Sequence, residues 1–245
     1  MKHKTADGLF TKPSVFGKPR PKFCIPILAQ DTEEVITRMD SLAGSADIFE
    51  IRLDLMRDFD LERILGCSTT PILVTYRSME QGGKGRAKPS ESAQYLLDAI
   101  KLGAAYVDVE LTLPDRVRQK LLEQRGATKV IVSMHVIDHS PSWKKLWSTL
   151  VQAASVDPDI VKIVTYARRW ADNLRMLELI PRAHKFGINI IAFCMGPMGR
   201  TSRIVSHLLG GYMSFVSAGN GQETAPGQLT LEEMKKILRL CGYED

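Results

Sequence analysis

Eight short runs of β-branched and apolar residues recur along the chain, at residues 23–29, 47–53, 71–76, 106–111, 129–134, 159–164, 189–194 and 212–217. Segments of helical period lie between most of them, at residues 32–43, 61–65, 91–102, 146–154, 171–186, 201–209 and 231–240. The last of these opens on Thr230-Leu231-Glu232-Glu233, a pattern that caps a helix N-terminus. A strand that returns parallel to its neighbour needs a crossover, and a helix is the usual one. Eight strand-helix repeats within residues 23–245 match a (β/α)8 TIM barrel, which runs to roughly 250 residues. The competing architecture is a doubly wound open sheet, which gathers its ligand groups at one switch point. Here polar residues stand at the ends of many strands. The expectation is a single-domain α/β barrel over residues 23–245.

Residues 1–22 read differently. They hold Lys2, Lys4, Lys12, Lys18, Arg20 and Lys22, with Pro13, Pro19 and Pro21 and no clear period. Such a stretch is a tail or an irregular cap on the barrel. It also carries part of the net charge of +5. The pI near 9.0 admits two readings, nucleic acid or an anionic small substrate that needs only an arginine or two in a cleft. Hydrophobic content of 44% and charged content of 25% are ordinary for a globular enzyme. Cys24, Cys67, Cys194 and Cys241 form no C-x-x-C pair, which points to reduced thiols, no metal site and a cytoplasmic protein. Neither a membrane-length apolar run nor a signal-peptide core is present in the sequence.

Barrel chemistry gathers at the C-terminal ends of the strands. The second run ends in Glu50, Arg52 and Asp54, which share one face by the period of two. The third ends in Arg77, the fourth in Asp108 and Glu110, and the fifth in His135. The sixth is Ile160-Val161-Lys162-Ile163-Val164, with an amine in an apolar run. Burying an ammonium costs several kcal/mol unless it is paired or deprotonated, and a neutral buried amine is a nucleophile for carbonyl carbon. The seventh run leads to Gly196 through Arg203, and the loop after the eighth holds Thr224-Ala225-Pro226-Gly227-Gln228.

Each group has an innocuous alternative. Lys162 can snorkel from a strand end, the Glu50 to Asp54 set and the Asp108 and Glu110 pair can be structural ladders, and Arg77 can be a solvated loop residue. A lone histidine such as His135 is often a satisfied core residue. Three arginines and a lysine at one mouth would nevertheless repel one another unless carboxylates or an anionic ligand balanced them. Strands five and six are neighbours in a barrel, which would set His135 and Lys162 facing each other across one strand spacing. The glycine-rich stretches 82–85 and 196–199 match no P-loop and are read as mobile loops over the mouth.

Six motifs in order carry a resemblance over residues 23–245. They are Phe49 through Asp54, Thr75-Tyr76-Arg77-Ser78 followed by Gly82-Gly83, Ser133-Met134-His135, Asp159 through Ile163, Met195 through Arg203, and Ala225-Pro226-Gly227-Gln228. On them the chain resembles the type I 3-dehydroquinate dehydratases, Schiff-base enzymes of the shikimate pathway with a (β/α)8 fold. The resemblance implies dehydration of 3-dehydroquinate to 3-dehydroshikimate, with Lys162 forming the imine and His135 moving protons. It implies that Arg203, Gln228 and Thr224 hold the substrate carboxylate end and that Glu50, Arg52 and Arg77 grip the ring hydroxyls. It implies no metal or organic cofactor, and a homodimer.

The chain departs from the family pattern twice. Gln81 stands where many members carry a glutamate beside the histidine, with Glu80 next to it, and Thr224 stands where serine is common. An amide at 81 can orient the imidazole without stabilising its cation. Two rival functions fit parts of the chain. A class I aldolase or transaldolase on a phosphosugar would share barrel and lysine but would need a phosphate nest at strands seven and eight. A basic RNA-binding module would account for the pI, but its basic residues lack interleaved aromatics.

Overall fold

The computed structural model describes residues 22–242. The expected N-terminal extension lies outside the described residues, apart from Lys22. Strands and helices alternate throughout. They are β1 (Phe23–Ile27), α1 (Thr32–Ser41), β2 (Ile48–Arg52), α2 (Leu61–Gly66), β3 (Ile72–Thr75), α3 (Pro89–Lys101), β4 (Tyr106–Glu110) and α4 (Asp115–Glu123). There follow β5 (Lys129–His135), α5 (Trp143–Ala154), β6 (Ile160–Tyr166), α6 (Trp170–Lys185), β7 (Ile190–Met195), α7 (Arg200–Leu208), β8 (Ser214–Phe215) and α8 (Leu231–Leu240).

All pairings are parallel, in the order β7-β6-β5-β4-β3-β2-β1-β8. Near the remaining gap, the Tyr212 amide donates to the Ile190 carbonyl at 2.8 Å, which brings the ring close to closure. The expected barrel is therefore the observed one. Among the described residues no helix is long and apolar enough to cross a membrane.

The runs read as apolar on both faces because a barrel strand meets protein on each side. Outward residues such as Val109, Val132, Ile163 and Ala192 share one core with helix residues such as Leu96, Leu150 and Ile180. Inward residues form a second, smaller core: Cys24, Ile48, Leu73, Tyr106, Ile131 and Ile160 fill the barrel near the N-terminal ends. The period of two then carries the next inward side chains upward. Above Ile48 stand Glu50 and Arg52, above Tyr106 stand Asp108 and Glu110, above Ile131 stand Ser133 and His135, and above Ile160 stands Lys162. An apolar plug thus supports a polar storey.

Helix ends follow their local chemistry. Thr230 and Glu233 exchange hydrogen bonds at 2.9 and 3.1 Å, the expected capping box of α8. The α4 helix has no counterpart among the periodic segments of the sequence. Its Arg118 occupies a buried position and donates to the Leu111 and Leu113 carbonyls at 2.7 and 2.8 Å, so a charged residue stands where an apolar one would mark a helix face.

Candidate active site

Above the apolar plug, an open cavity of about 200 Å³ is lined by Glu50, Arg52, Arg77, Gln81, His135, Lys162, Arg203, Thr224 and Gln228. All nine residues anticipated from sequence meet in one place. The volume suits a small metabolite.

Lys162 is 4% exposed. Its Nζ lies 3.1 Å from Asp108 Oδ2 and 4.0 Å from the Phe215 ring centroid. Asp108 is itself held by Arg77 Nη2 at 2.7 Å and by the Ser133 hydroxyl at 2.5 Å. Arg77 also donates to Glu110 and Ser133, each at 3.0 Å. Burial alone would raise the Asp108 pKa, but Arg77 and Lys162 outweigh it and hold the carboxyl below its ordinary range. The converse holds for Arg77. Burial opposes its charge, and Asp108 with Glu110 more than restores it. Asp108 and Glu110 do form a polar ladder, as the sequence suggested, but the ladder ends on the lysine. Arg77 is buried in it, not solvated.

Arg52 makes a two-pronged pair with Asp54 at 2.8 and 2.7 Å. Asp54 also accepts from the Arg77 and Lys84 amides at 3.1 and 3.0 Å. The 82–85 stretch is therefore a tight turn tied to the site. A Cβ at Gly83 would stand 2.1 Å from the Arg77 carbonyl oxygen, so only glycine permits this approach. Glu50 accepts from the Thr75 hydroxyl at 2.8 Å.

His135 does not stand directly opposite Lys162. The β5–β6 register pairs Ser133 with Lys162 and His135 with Val164. The imidazole is thus one inward step nearer the mouth, about 7 Å along the strand. That offset sets the amine and the ring at different depths of the cleft. Burial, then Arg77 and Lys162, hold the His135 pKa well below 6.5, opposed by Asp108. Gln81 Oε1 accepts from the His135 main-chain N–H at 2.8 Å and lies 3.2 Å from Nδ1.

Arg203 differs from the other cations. It is 3% exposed, stacks over Phe193 at 4.4 Å, and reaches only the Pro226 carbonyl at 3.4 Å. Among the described residues no carboxylate pairs with it, and its Nε has no partner. Burial pulls its pKa down to about 10. Beside it, Gln228 Oε1 accepts from the Thr224 amide and hydroxyl at 2.7 and 3.2 Å, which leaves Gln228 Nε2 a buried donor without an acceptor. The 224–228 turn docks on Gly196, whose amide donates to Pro226 at 2.9 Å.

Sequence reasoning gave no role to Thr112, which accepts from Gln81 Nε2 at 2.8 Å, or to Ser133, which stands in a motif beside His135 and bridges Arg77 and Asp108. Ser133 was readable in principle, two residues before His135 on the same strand face. Thr112 was not, because it lies in the turn after β4.

The arrangement joins a buried amine, a histidine of lowered pKa and an uncompensated guanidinium in one cleft, features suited to carbonyl chemistry on an anion. A family model for "Type I 3-dehydroquinase" matches residues 23–245. A 3-dehydroquinate dehydratase of Thermococcus onnurineus is 35% identical over 218 residues, covering 88% of this chain and 96% of the relative. One from Pyrococcus abyssi is 33% identical with the same coverage. A crystal structure of 3-dehydroquinate dehydratase from Geobacillus kaustophilus superposes with a TM-score of 0.83 at 26% identity, covering 92% of this chain and 93% of the other. The type I enzyme from Clostridium difficile, solved with covalently modified comenic acid, gives a TM-score of 0.82 at 26% identity and the same coverage. The chain belongs to the type I 3-dehydroquinase family.

Proposed function

We propose that the chain dehydrates 3-dehydroquinate to 3-dehydroshikimate through an imine on Lys162, with His135 carrying the protons. Arg203 is the observation that carries this reading. A guanidinium taken out of water without a carboxylate is costly, and an anionic substrate offsets that cost. Arg52 and Arg77 are already neutralised, so the site calls for one carboxylate at one place. A planar fork suits that group, and Gln228 Nε2 supplies a further donor beside it.

With the carboxylate on Arg203, the ring extends toward Lys162. Its amine adds to the C3 ketone, and loss of water leaves an iminium. The iminium acidifies the C2 proton, which passes to neutral His135 while the electron pair forms an enamine. The enamine expels the C1 hydroxyl, His135 returns its proton to that leaving group, and a second water departs. Hydrolysis of the imine consumes one water and frees Lys162, so the net change is loss of one water from the substrate. Glu50, Arg52 and Arg77 line the wall that would meet the ring hydroxyls, and Thr224 orients Gln228.

Borohydride with 3-dehydroquinate, followed by peptide mass mapping, tests the mechanism. A reduced adduct on Lys162 is expected, and an adduct elsewhere or none at all refutes it. Lys162→Ala should remain folded and lose turnover, which the absorbance of the conjugated enone product reports. We also infer a cytoplasmic homodimer, from the unpaired cysteine pattern and from the family resemblance. Sedimentation at micromolar concentration measures the second part of that inference.

A further inference from the structure

We propose that Gln81 sets the protonation pattern of His135: its side-chain carbonyl holds the imidazole as the neutral Nδ1–H tautomer and leaves Nε2 as the ring's one basic atom. The inference rests on the reading of His135 as the proton carrier, and it adds which nitrogen works and what tunes it.

The orientation of the amide is determined by its surroundings. The His135 main-chain N–H is a donor at every accessible pH, so the Gln81 atom 2.8 Å away must be the oxygen. The Gln81 NH2 then faces the Thr112 hydroxyl, which accepts at 2.8 Å. Gln81 is 5% exposed, so its amide is enclosed on both sides. The same oxygen lies 3.2 Å from His135 Nδ1. An amide oxygen only accepts, so Nδ1 carries the hydrogen, and a neutral ring has no second one to place on Nε2.

The charged groups around the ring give that assignment a chemical consequence. Arg52 approaches from β2, Arg77 from the end of β3 and Lys162 from β6, against Asp108 from β4. Three cations oppose a fourth, and an uncharged amide at 81 offsets none of that repulsion. Nε2 is accordingly a weak base that takes a proton only from carbon acidified by a neighbouring iminium. Once formed, the imidazolium is a strong acid. It passes the same proton to the departing hydroxyl, which returns the ring to its neutral form after the second step.

Two-bond ¹H–¹⁵N spectra of the ligand-free, histidine-labelled protein read the tautomer directly, with the His135 signals assigned by their loss in His135→Gln. The expected pattern is neutral Nδ1–H, persisting below pH 6.5. In Gln81→Glu the His135 titration should move up by at least one unit, and the acid limb of kcat should move with it, because the isosteric carboxylate favours the imidazolium. In Gln81→Met the Nδ1–H pattern should give way to an Nε2–H or mixed one, and kcat should fall more than KM changes. An Nε2–H tautomer in the native protein overturns the proposal, as does a Gln81→Glu titration that stays where it was. These spectra need no substrate, so they stand even if the borohydride adduct on Lys162 is not found.

Discussion

A buried arginine without a carboxylate is a liability to the folded chain and an asset to a ligand. Arg203 makes the two effects separable. Replacing it by methionine keeps much of the volume and the contact with Phe193 while removing the unpaired charge, so the Arg203→Met protein should melt no lower than the native one. Its kcat/KM for 3-dehydroquinate should fall about 100- to 1,000-fold, roughly 3–4 kcal/mol, the cost of a charge-assisted carboxylate contact in a desolvated site. Calorimetry beside steady-state kinetics checks both. A large drop in melting temperature would instead make Arg203 a structural residue. At this scale the site was legible where a residue type was anomalous for its run, as with Lys162 among β-branched neighbours or Glu50 and Arg52 alternating in a strand. It was illegible where the meaning lay in the partner. Nothing in the local sequence of Asp108 says that its carboxylate joins Arg77 to Lys162, because those partners come from the segment just after β3 and from β6.

The loop after β8 shows how an element can be precise without being long. Gly227 has φ of 77°, and a Cβ there would stand 2.2 Å from the Gly196 carbonyl oxygen. Gly227→Ala should therefore lift the 224–228 turn off Gly196 and disperse Thr224 and Gln228. A rise in KM of about tenfold or more is expected, at the cost of one or two lost hydrogen bonds to substrate. The melting temperature should shift little, since of this turn only Ala225 packs against an apolar core, and paired kinetic and thermal measurements would show it. The alternation of elements was readable because seven helices carry an apolar stripe and eight strands carry β-branched runs. The α4 helix escaped because its nine residues offer few apolar positions and bury Arg118. The register of β5 on β6 was also beyond a single sequence. Two neighbouring strands can pair at any even offset and keep the same faces inward, so the two-residue stagger of His135 over Lys162 emerges only in three dimensions.

At the scale of the whole molecule, the barrel is held from inside by a layer of paired charges and is nearly closed by its shortest strand. The β8 strand meets β1 over only two register pairs, Phe23 with Ser214 and Cys24 with Phe215. The buried His207 sits against that seam, with Nδ1 2.8 Å from the Ser214 hydroxyl and its ring stacked on Phe23 at 5.4 Å. Burial pushes its pKa down to about 4, with Asp47 opposing the shift. A histidine lowered in the fold binds its proton more readily when unfolded, so between about pH 6.5 and pH 4 the unfolded state gains protons first and stability is lost as pH falls. Full protonation across that window corresponds to about 3 kcal/mol from this residue alone. His135 is lowered in the same direction and adds to the loss. The carboxyls of Asp54, Asp108 and Asp172 are held below their usual range, so their contribution is present above the ordinary aspartate pKa and disappears only in stronger acid. Urea midpoints should thus be highest at neutral to mildly alkaline pH, fall between pH 6.5 and 4, and fall again in stronger acid. His207→Gln should be less stable than the native protein at pH 7.5, where it loses the ring stack, and the gap should close toward pH 4 as the native histidine is forced to charge. A gap of constant size across that range would mean that the seam does not sense the protonation of His207.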